Sequence, residues 1–385
     1  MLYKGLVILV ILCLTTGCWD RREMDDLALV MASGIDLTED GQIEITLQIA
    51  LPTGIPSAVT AGSSGKRPIV VISGKGNDIQ EVLGGLQQQM SRYIYFGHRE
   101  IFVIGEHCAR EGVNQILDLF TRFPETRYNS YVVTAYGATA KEILNEPYQL
   151  ELIPGLGISK IEASRLSFSV KLDEFLEAFS SPGTGPVTAA IRISSRGKGK
   201  ESFALDRAAV YSGNQLTGFL PPDEMEVFRW WFKEPYGLGF TIQAEPEDRE
   251  YKGSISIQTL RSNVKIKTVM KNELPEVTVF FDTTVRLLNN NTRINLSNTK
   301  DRILVEKLFS EQLQTRIKSM LARVQKEMKS DVFGIGKEVH NQHPYAWKKI
   351  QDRWNDIFPD VPVTIDVDVK IERIGKTQGR SYLRK

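Results

Sequence analysis

Thiols and imidazoles are the side chains best able to do chemistry near neutral pH, and the chain has three cysteines and four histidines. Cys18 stands at the end of Leu14-Thr15-Thr16-Gly17, where a thiol can accept an acyl-bearing group on sulfur. Cys108 lies beside the apolar run Ile101 to Ile104, and a small buried thiol is the expected role there rather than a nucleophile. His340 and His343 are three residues apart and could share a helix face, but Pro344 follows at once and no His-Glu-x-x-His pattern accompanies them, so no metal site is expected. His98, in Phe96-Gly97-His98-Arg99-Glu100, is a candidate base or ligand. It has no second His or Cys at ligand spacing, so a hydrogen-bonded turn histidine is favoured. Arg92, Arg99, Glu100, Glu106, Arg110, Arg122, Glu125 and Arg127 alternate in sign, which favours a solvated ion-pair lattice over a carboxylate active site. Gly74-Lys75-Gly76 and Gly197-Lys198-Gly199 share only their glycines with a phosphate loop, and no Gly-x-Ser-x-Gly elbow is present. Trp230, Trp231, Trp347 and Trp354 fall at helical spacings that suit core packing better than a ligand pocket.

The Cys18 segment is the exception to this list of bland readings. Lys4 precedes a ten-residue apolar run, Gly5 to Leu14, and small residues follow, which is the order of an export signal. The run is too short for a stable transmembrane span. Cleavage near Gly17 would release a free exported chain, whereas transfer of diacylglycerol to the Cys18 sulfur would tether it. The second outcome fits better, because Thr16 and Gly17 directly before Cys18 are similar to a bacterial lipobox, with Thr15 where Leu is commonest. Two acyl chains hold a protein firmly, each buried CH₂ contributing about 0.8 kcal/mol.

A chain of 385 residues has a prior of two to three domains, and 42% apolar with 25% charged residues is a globular balance. Lys and Arg number 48 against 47 Asp and Glu, a balance that argues against nucleic acid as the main ligand. No second long apolar stretch exists, which excludes a multi-span membrane protein. The cysteines and histidines are too few and scattered for a zinc ribbon or a disulfide framework. The tail from Arg373 to Lys385 has five basic and no acidic residues, and reads as a solvated terminus or a contact for anionic lipid.

The first half, 18–200, alternates strands and helices. Leu27 to Ile35 and Ile43 to Ile49 are strands around Glu39-Asp40-Gly41, the second with one wet face, and 57–68 is a mobile loop. Ile69 to Ser73 is a short buried strand. Helices are expected at Asp78 to Arg92, Ala109 to Phe123, Ala138 to Leu144, Lys160 to Leu166 and Asp173 to Phe179. Strands are expected at Ile101 to Ile104 and Ser130 to Ala135. Ser194 to Lys200 is a Gly-rich break, and the domain boundary is placed near residue 200. The second half, 201–385, has strands at Ala204 to Tyr211, Gln215 to Leu220, Ile255 to Thr259, Val264 to Thr268 and Val277 to Phe281. An aromatic helix spans Met225 to Phe232. A long helix from Arg302 to Lys329 has Leu304, Leu308, Leu313, Ile317 and Leu321 inward, and a further helix spans Pro344 to Phe358. Val363 to Ile371 is a cleanly alternating strand. Strands followed by helices predict an α+β architecture with mixed or antiparallel sheets.

Four blocks together are similar to one family. They are Gly17-Cys18-Trp19-Asp20-Arg21-Arg22-Glu23, the segment from Ser91-Arg92 through Gly105-Glu106, Ala208-Ala209-Val210-Tyr211 through Gly218-Phe219-Leu220, and Gln325 through Ser330-Asp331 to Gly336 with Trp347 and Trp354. This order and spacing resembles the Ger(x)C family of spore germination lipoproteins, the C subunit of nutrient germinant receptors. The chain departs from that pattern at Thr15, and at Tyr211 where Phe is expected. The resemblance implies an elongated α+β structure of three subdomains after a signal peptide at 1–17, with no known catalytic activity and no cofactor. It implies a lipid anchor at Cys18 on the outer face of the inner spore membrane of an endospore-forming bacterium, beside integral-membrane A and B type subunits. Three functional classes follow: a tethered subunit that docks on partner loops, a solute-binding lipoprotein, and a secreted hydrolase. The second would show doubly wound βα repeats in both halves, and the third would need a convergent polar pocket.

Overall fold

Alternation of apolar residues sets the first strands. β1 (Leu27–Leu37) and β2 (Ile43–Ala50) pair antiparallel around a turn in which Gly41 takes φ 78°. This is a computed structural model that describes residues 3, 23–51, 68–122, 126–164, 167–195, 201–232, 239–244 and 253–375. Residues 1–2 and 4–22 with Cys18 among them, loop residues 57–67, the break at 196–200 and the tail beyond 375 lie outside the described residues. β3 (Ile69–Gly76) follows as an edge strand that is only partly buried. α1 (Ile79–Gln88) is capped by Asp78, whose carboxylate accepts from the Glu81 amide. β4 (Tyr93–Tyr95) and β5 (Ile101–Ile104) both run parallel to β1.

The predicted helix from Ala109 to Phe123 is two helices, α2 (Glu106–Glu111) and α3 (Asn114–Arg122). Gly112 separates them at φ 134°, and the next amide, Val113, leaves the helical ladder to donate to Asn214 O. β6 (Tyr131–Ala135), α4 (Ala140–Asn145) and α5 (Pro154–Ala163) come next. α5 begins six residues earlier than the predicted Lys160, with Pro154 at its first position. Its glycines hide the helix in the sequence, yet close packing requires them, since a Cβ on Gly155 would lie 2.6 Å from Ala32 Cβ. α6 (Leu172–Ser180), β7 (Val187–Ser195), β8 (Glu201–Ser212) and β9 (Gln215–Leu220) complete a sheet in the order β3-β2-β1-β5-β6-β7-β8-β9, with β4 on β1. β1, β5, β6 and β7 form its parallel centre, and antiparallel hairpins flank it. The boundary expected near residue 200 falls between β7 and β8, which pair within this sheet.

The wet face predicted for β2 is buried instead. Its polar residues are all partnered under the helices: Thr46 with Ser73, Gln48 with Leu144 O and Gly155 N, and Glu44 with Lys141.

The second half opens with α7 (Pro222–Arg229) and β10 (Gly239–Ala244), then a long hairpin of β11 (Gly253–Lys271) and β12 (Leu274–Asn290). α8 (Thr299–Arg323) passes into a π turn at Val324–Met328, and α9 (Ile335–Gln342), α10 (Pro344–Ile350) and α11 (Trp354–Ile357) precede β13 (Val363–Arg373). β13 runs parallel to β12, because the helices carry the chain back across the sheet, and this makes the sheet mixed. The order is β10-β11-β12-β13, with alternating burial that leaves one face wet.

The buried stripe of α8 is Val305, Phe309, Leu313, Ile317 and Leu321, so Leu304 and Leu308 were placed one position out of phase. A polar row one position on in the helix, Glu306, Ser310 and Gln314, guards the edge of β13. Glu306 Oε1 accepts from Ile371 N at 2.8 Å, Ser310 Oγ accepts from Val369 N at 3.0 Å, and Gln314 Nε2 donates to Ile365 O. The α+β class with mixed sheets is borne out.

Candidate functional site

Two of the four sequence blocks meet where the halves join. The π turn at the end of α8 finishes at Lys329 with φ 50°, and the next residues, Ser330 and Asp331, are each 1% exposed. Ser330 Oγ donates to Tyr211 O, Ser212 Oγ donates to Lys329 O, Gly185 N donates to Asp331 O, and Lys337 N donates to Gly183 O. These bonds stitch 329–337 to the turn before β7 and to the end of β8.

Asp331 is the hub of that seam. Its carboxylate accepts from Ile335 N at 3.0 Å and Gly336 N at 2.6 Å, at the start of α9, and from Trp354 Nε1 at 3.0 Å. A negative charge there also suits the helix N-terminus. Burial still dominates and pushes the carboxyl group up to about 6. Gly183, at φ 84°, and Gly336 let the two backbones touch: a Cβ on Gly336 would lie 2.5 Å from Gly183 Cα. A cavity of about 420 Å³ opens beside the seam, lined among others by Asn114, Thr184, Asn214, Gln351 and Asn355.

Tyr211 sits under the same seam. Its hydroxyl lies 2.6 Å from Thr134 Oγ1, which in turn is 2.8 Å from Thr188 Oγ1. A buried phenol needs such partners, and they explain why Tyr rather than Phe is accommodated here. Burial pushes its ionisation well up.

The central block builds a second feature. Arg99 is 5% exposed, and its guanidinium carbon lies 4.7 Å from the Phe120 ring centroid, 5.5 Å from Phe102 and 5.9 Å from Phe96. Its Nε and Nη2 have no hydrogen-bond partner among the described residues, and no described carboxylate pairs with it. Ring faces stabilise the cation, while desolvation pushes its ionisation down to about 10. At the carboxyl end of β1, buried Asp36 accepts from Ala140 N at 2.8 Å and Lys141 N at 3.0 Å, which docks α4. Gly105 of the central block leaves room for it, since a Cβ there would lie 1.9 Å from Asp36 Oδ1.

The other sequence candidates scatter. His98 is half-buried, with its ring edge-on to Tyr95 at 6.0 Å. His340 stacks on Trp347, whereas His343 Nε2 faces Thr268 O at 2.9 Å, so the two imidazoles have different partners. No metal-binding group of His, Cys, Asp and Glu forms among the described residues. Cys108 is buried, and burial pushes its thiol up to about 12. Glu106 pairs with Arg110 and accepts from Gly137 N, and Arg122 pairs with Asp118, as an ion-pair surface would. All four tryptophans of the second half are buried in its core. No helix among the described residues is long and apolar enough to cross a membrane. Sequence reasoning missed the roles of Asp331 and Asp36. The signal for the first was present, as an Asp between a helix end and Gly334-Ile335-Gly336.

Known proteins match the chain over both of its halves. Residues 20–193 match the model of the spore germination protein N-terminal domain, and residues 206–375 match the spore germination B3/GerAC-like C-terminal model. Among relatives in Bacillus subtilis (strain 168), the putative spore germination protein YfkR is 27% identical, with 97% of each chain covered. Spore germination protein KC is 26% identical over 96% of this chain and 95% of its own. Spore germination protein B3 is 26% identical over 97% and 98%. The crystal structure of the GerBC protein has the same fold, with a TM-score of 0.59 at 22% identity over 92% of this chain and 100% of that one. With both halves matched in order, the chain belongs to the Ger(x)C family of spore germination proteins.

Proposed function

We propose that this chain is a lipid-anchored, non-enzymatic subunit of a spore germinant receptor. In this reading it is exported, cut before Cys18 and acylated on that sulfur, and it sits on the outer face of the inner spore membrane. There it acts by contact with integral-membrane A and B type subunits during nutrient-triggered germination, without nucleic acid or a cofactor. The observation that carries the reading is end-to-end likeness to spore germination proteins KC and B3. The seam at Asp331 supports a scaffold over a solute-binding clamshell, because backbone hydrogen bonds at 183 and 185 and the Ser330 hydroxyl on Tyr211 O tie the halves together where a hinge would have to open. The test is the mass of the mature N-terminus together with germination of a Cys18→Ala strain. An acylated Cys18 and impaired germination are expected; an unmodified N-terminus with normal germination overturns the reading.

Capture of a small nutrient is a second reading, and the amide-lined cavity beside the seam is the observation that favours it. Thermal-shift measurements with amino acids and sugars test it, and a saturable rise in Tm would support it.

A further inference from the structure

In the first half, exposed apolar side chains gather at one corner. Met24 stands just before β1 and is 67% exposed. Leu51 follows the end of β2, Val70 is the second residue of β3 opposite Ile49, and Tyr93 pairs with Leu27 at the start of β1. Leu150 and Leu152, 80% and 59% exposed, lead into α5 beside Ile153, which packs with Ala50 and Ile69 at the same end of the sheet. Separate connections thus bring six large apolar side chains to the place where the chain enters the fold. Single exposed apolar residues are ordinary, but a gathering of them marks a contact surface.

The length of chain before that point says what covers the corner. Five peptide links separate Cys18 from Glu23, so their Cα atoms lie no more than about 18 Å apart even when fully extended. An acyl-anchored Cys18 therefore holds this corner, rather than the far end of the sheet, at the bilayer surface. Glu23 and Asp25 flank Met24, Glu151 lies between Leu150 and Leu152, and Arg92 precedes Tyr93, so the charges around the corner are mixed in sign and its contact is apolar. Tyr93 adds an amphipathic ring of the kind favoured at the lipid–water interface.

We infer that this corner, with Met24, Leu51, Leu150 and Leu152 as its apolar contacts and Tyr93 at the interface, is laid directly against the lipid surface. The inference rests on the acylation of Cys18 proposed above.

The test uses full-length acylated protein in phosphatidylcholine vesicles that carry nitroxide-labelled lipid. A fluorophore is placed at Met24→Cys, at Leu150→Cys, or at Asp40→Cys as reference. Asp40 lies in the turn at the other end of β1, whose eleven residues separate the ends by about 35 Å. The buried Cys108 does not compete for label. Flotation with the vesicles is scored first. Failure to float overturns the anchor itself. For protein that floats, severalfold stronger quenching at Met24 and Leu150 than at Asp40 is expected, and addition of Leu150→Asp and Leu152→Asp to the Met24→Cys protein should weaken the contrast without loss of flotation. Equal quenching at all three positions in floating protein overturns the corner while leaving the anchor intact. Corner labels that escape quenching in floating protein likewise overturn direct contact with lipid.

Discussion

The Asp331→Asn substitution probes the seam most sharply, because it changes charge and one acceptor without changing shape. One side-chain oxygen can keep Ile335 N or the pair Gly336 N and Trp354 Nε1, but the new amide then faces donors. One or two buried donors are orphaned, at about 1–3 kcal/mol each, so a loss of roughly 2–5 kcal/mol is expected. The loss depends on pH. Folding raises this carboxyl group from 3.8 to about 6, so the folded chain binds the proton more tightly than the unfolded one. Its contribution to stability is full below about pH 4 and is lost as pH climbs through about 6, a change of about 3 kcal/mol. Asn cannot titrate, so the gap between the two proteins should be about 2 kcal/mol wider at pH 4 than at pH 7. Urea unfolding followed by tryptophan fluorescence at both pH values reads this directly, since Trp354 is one of the partners. A gap that is the same at the two pH values, or absent, would refute Asp331 as the buried anionic hub.

Three further outcomes follow from the first half. Arg99→Met removes a cation whose ionisation burial pushes down to about 10, and it should leave stability unchanged or raised, whereas Arg99→Ala should cost about 3–5 kcal/mol through the void; equal losses in denaturant melts would mean that the guanidinium has an anionic partner. Gly105→Ala drives a methyl into Asp36 and displaces the carboxylate from two α4 amides, so a loss of roughly 3 kcal/mol or more is expected in urea, and a wild-type midpoint would contradict the packing. Cys108 should react with a disulfide reagent at least about a hundredfold more slowly in the native protein than in denaturant, and a fast native reaction would place the thiol at the surface.

The sequence makes faces legible more readily than neighbours. β13 could be read residue by residue, because Ile365, Val367, Val369 and Ile371 alternate with charged residues and are buried as expected. Its parallel partner could not, since a period of two says which face is wet and nothing about which strand lies alongside. β11 read as two short strands because bulges at Ser256/Ile257 and Thr259/Arg261 shift the phase of its alternation. β2 read as half-exposed because Glu44, Thr46 and Gln48 are polar, and only the tertiary structure supplies the partners that let them be buried. At the site, the family blocks were visible as blocks, but their meaning lay in distance. Asp331 and Tyr211 are far apart in the chain, and only the fold shows that one seam uses both. The proposed anchor is the reverse case: its reading rests on local chemistry around Cys18 alone, and that residue lies outside the described residues.

The most direct measurement is quantitative isolation of the tagged, full-length protein from detergent-solubilised spore membranes, with crosslinking before lysis. Co-recovery of integral-membrane A and B type subunits with the acylated wild-type chain, and their loss with Cys18→Ala, is the predicted result. Wild-type protein that is acylated and folded yet brings down neither subunit would contradict a receptor subunit that works by contact.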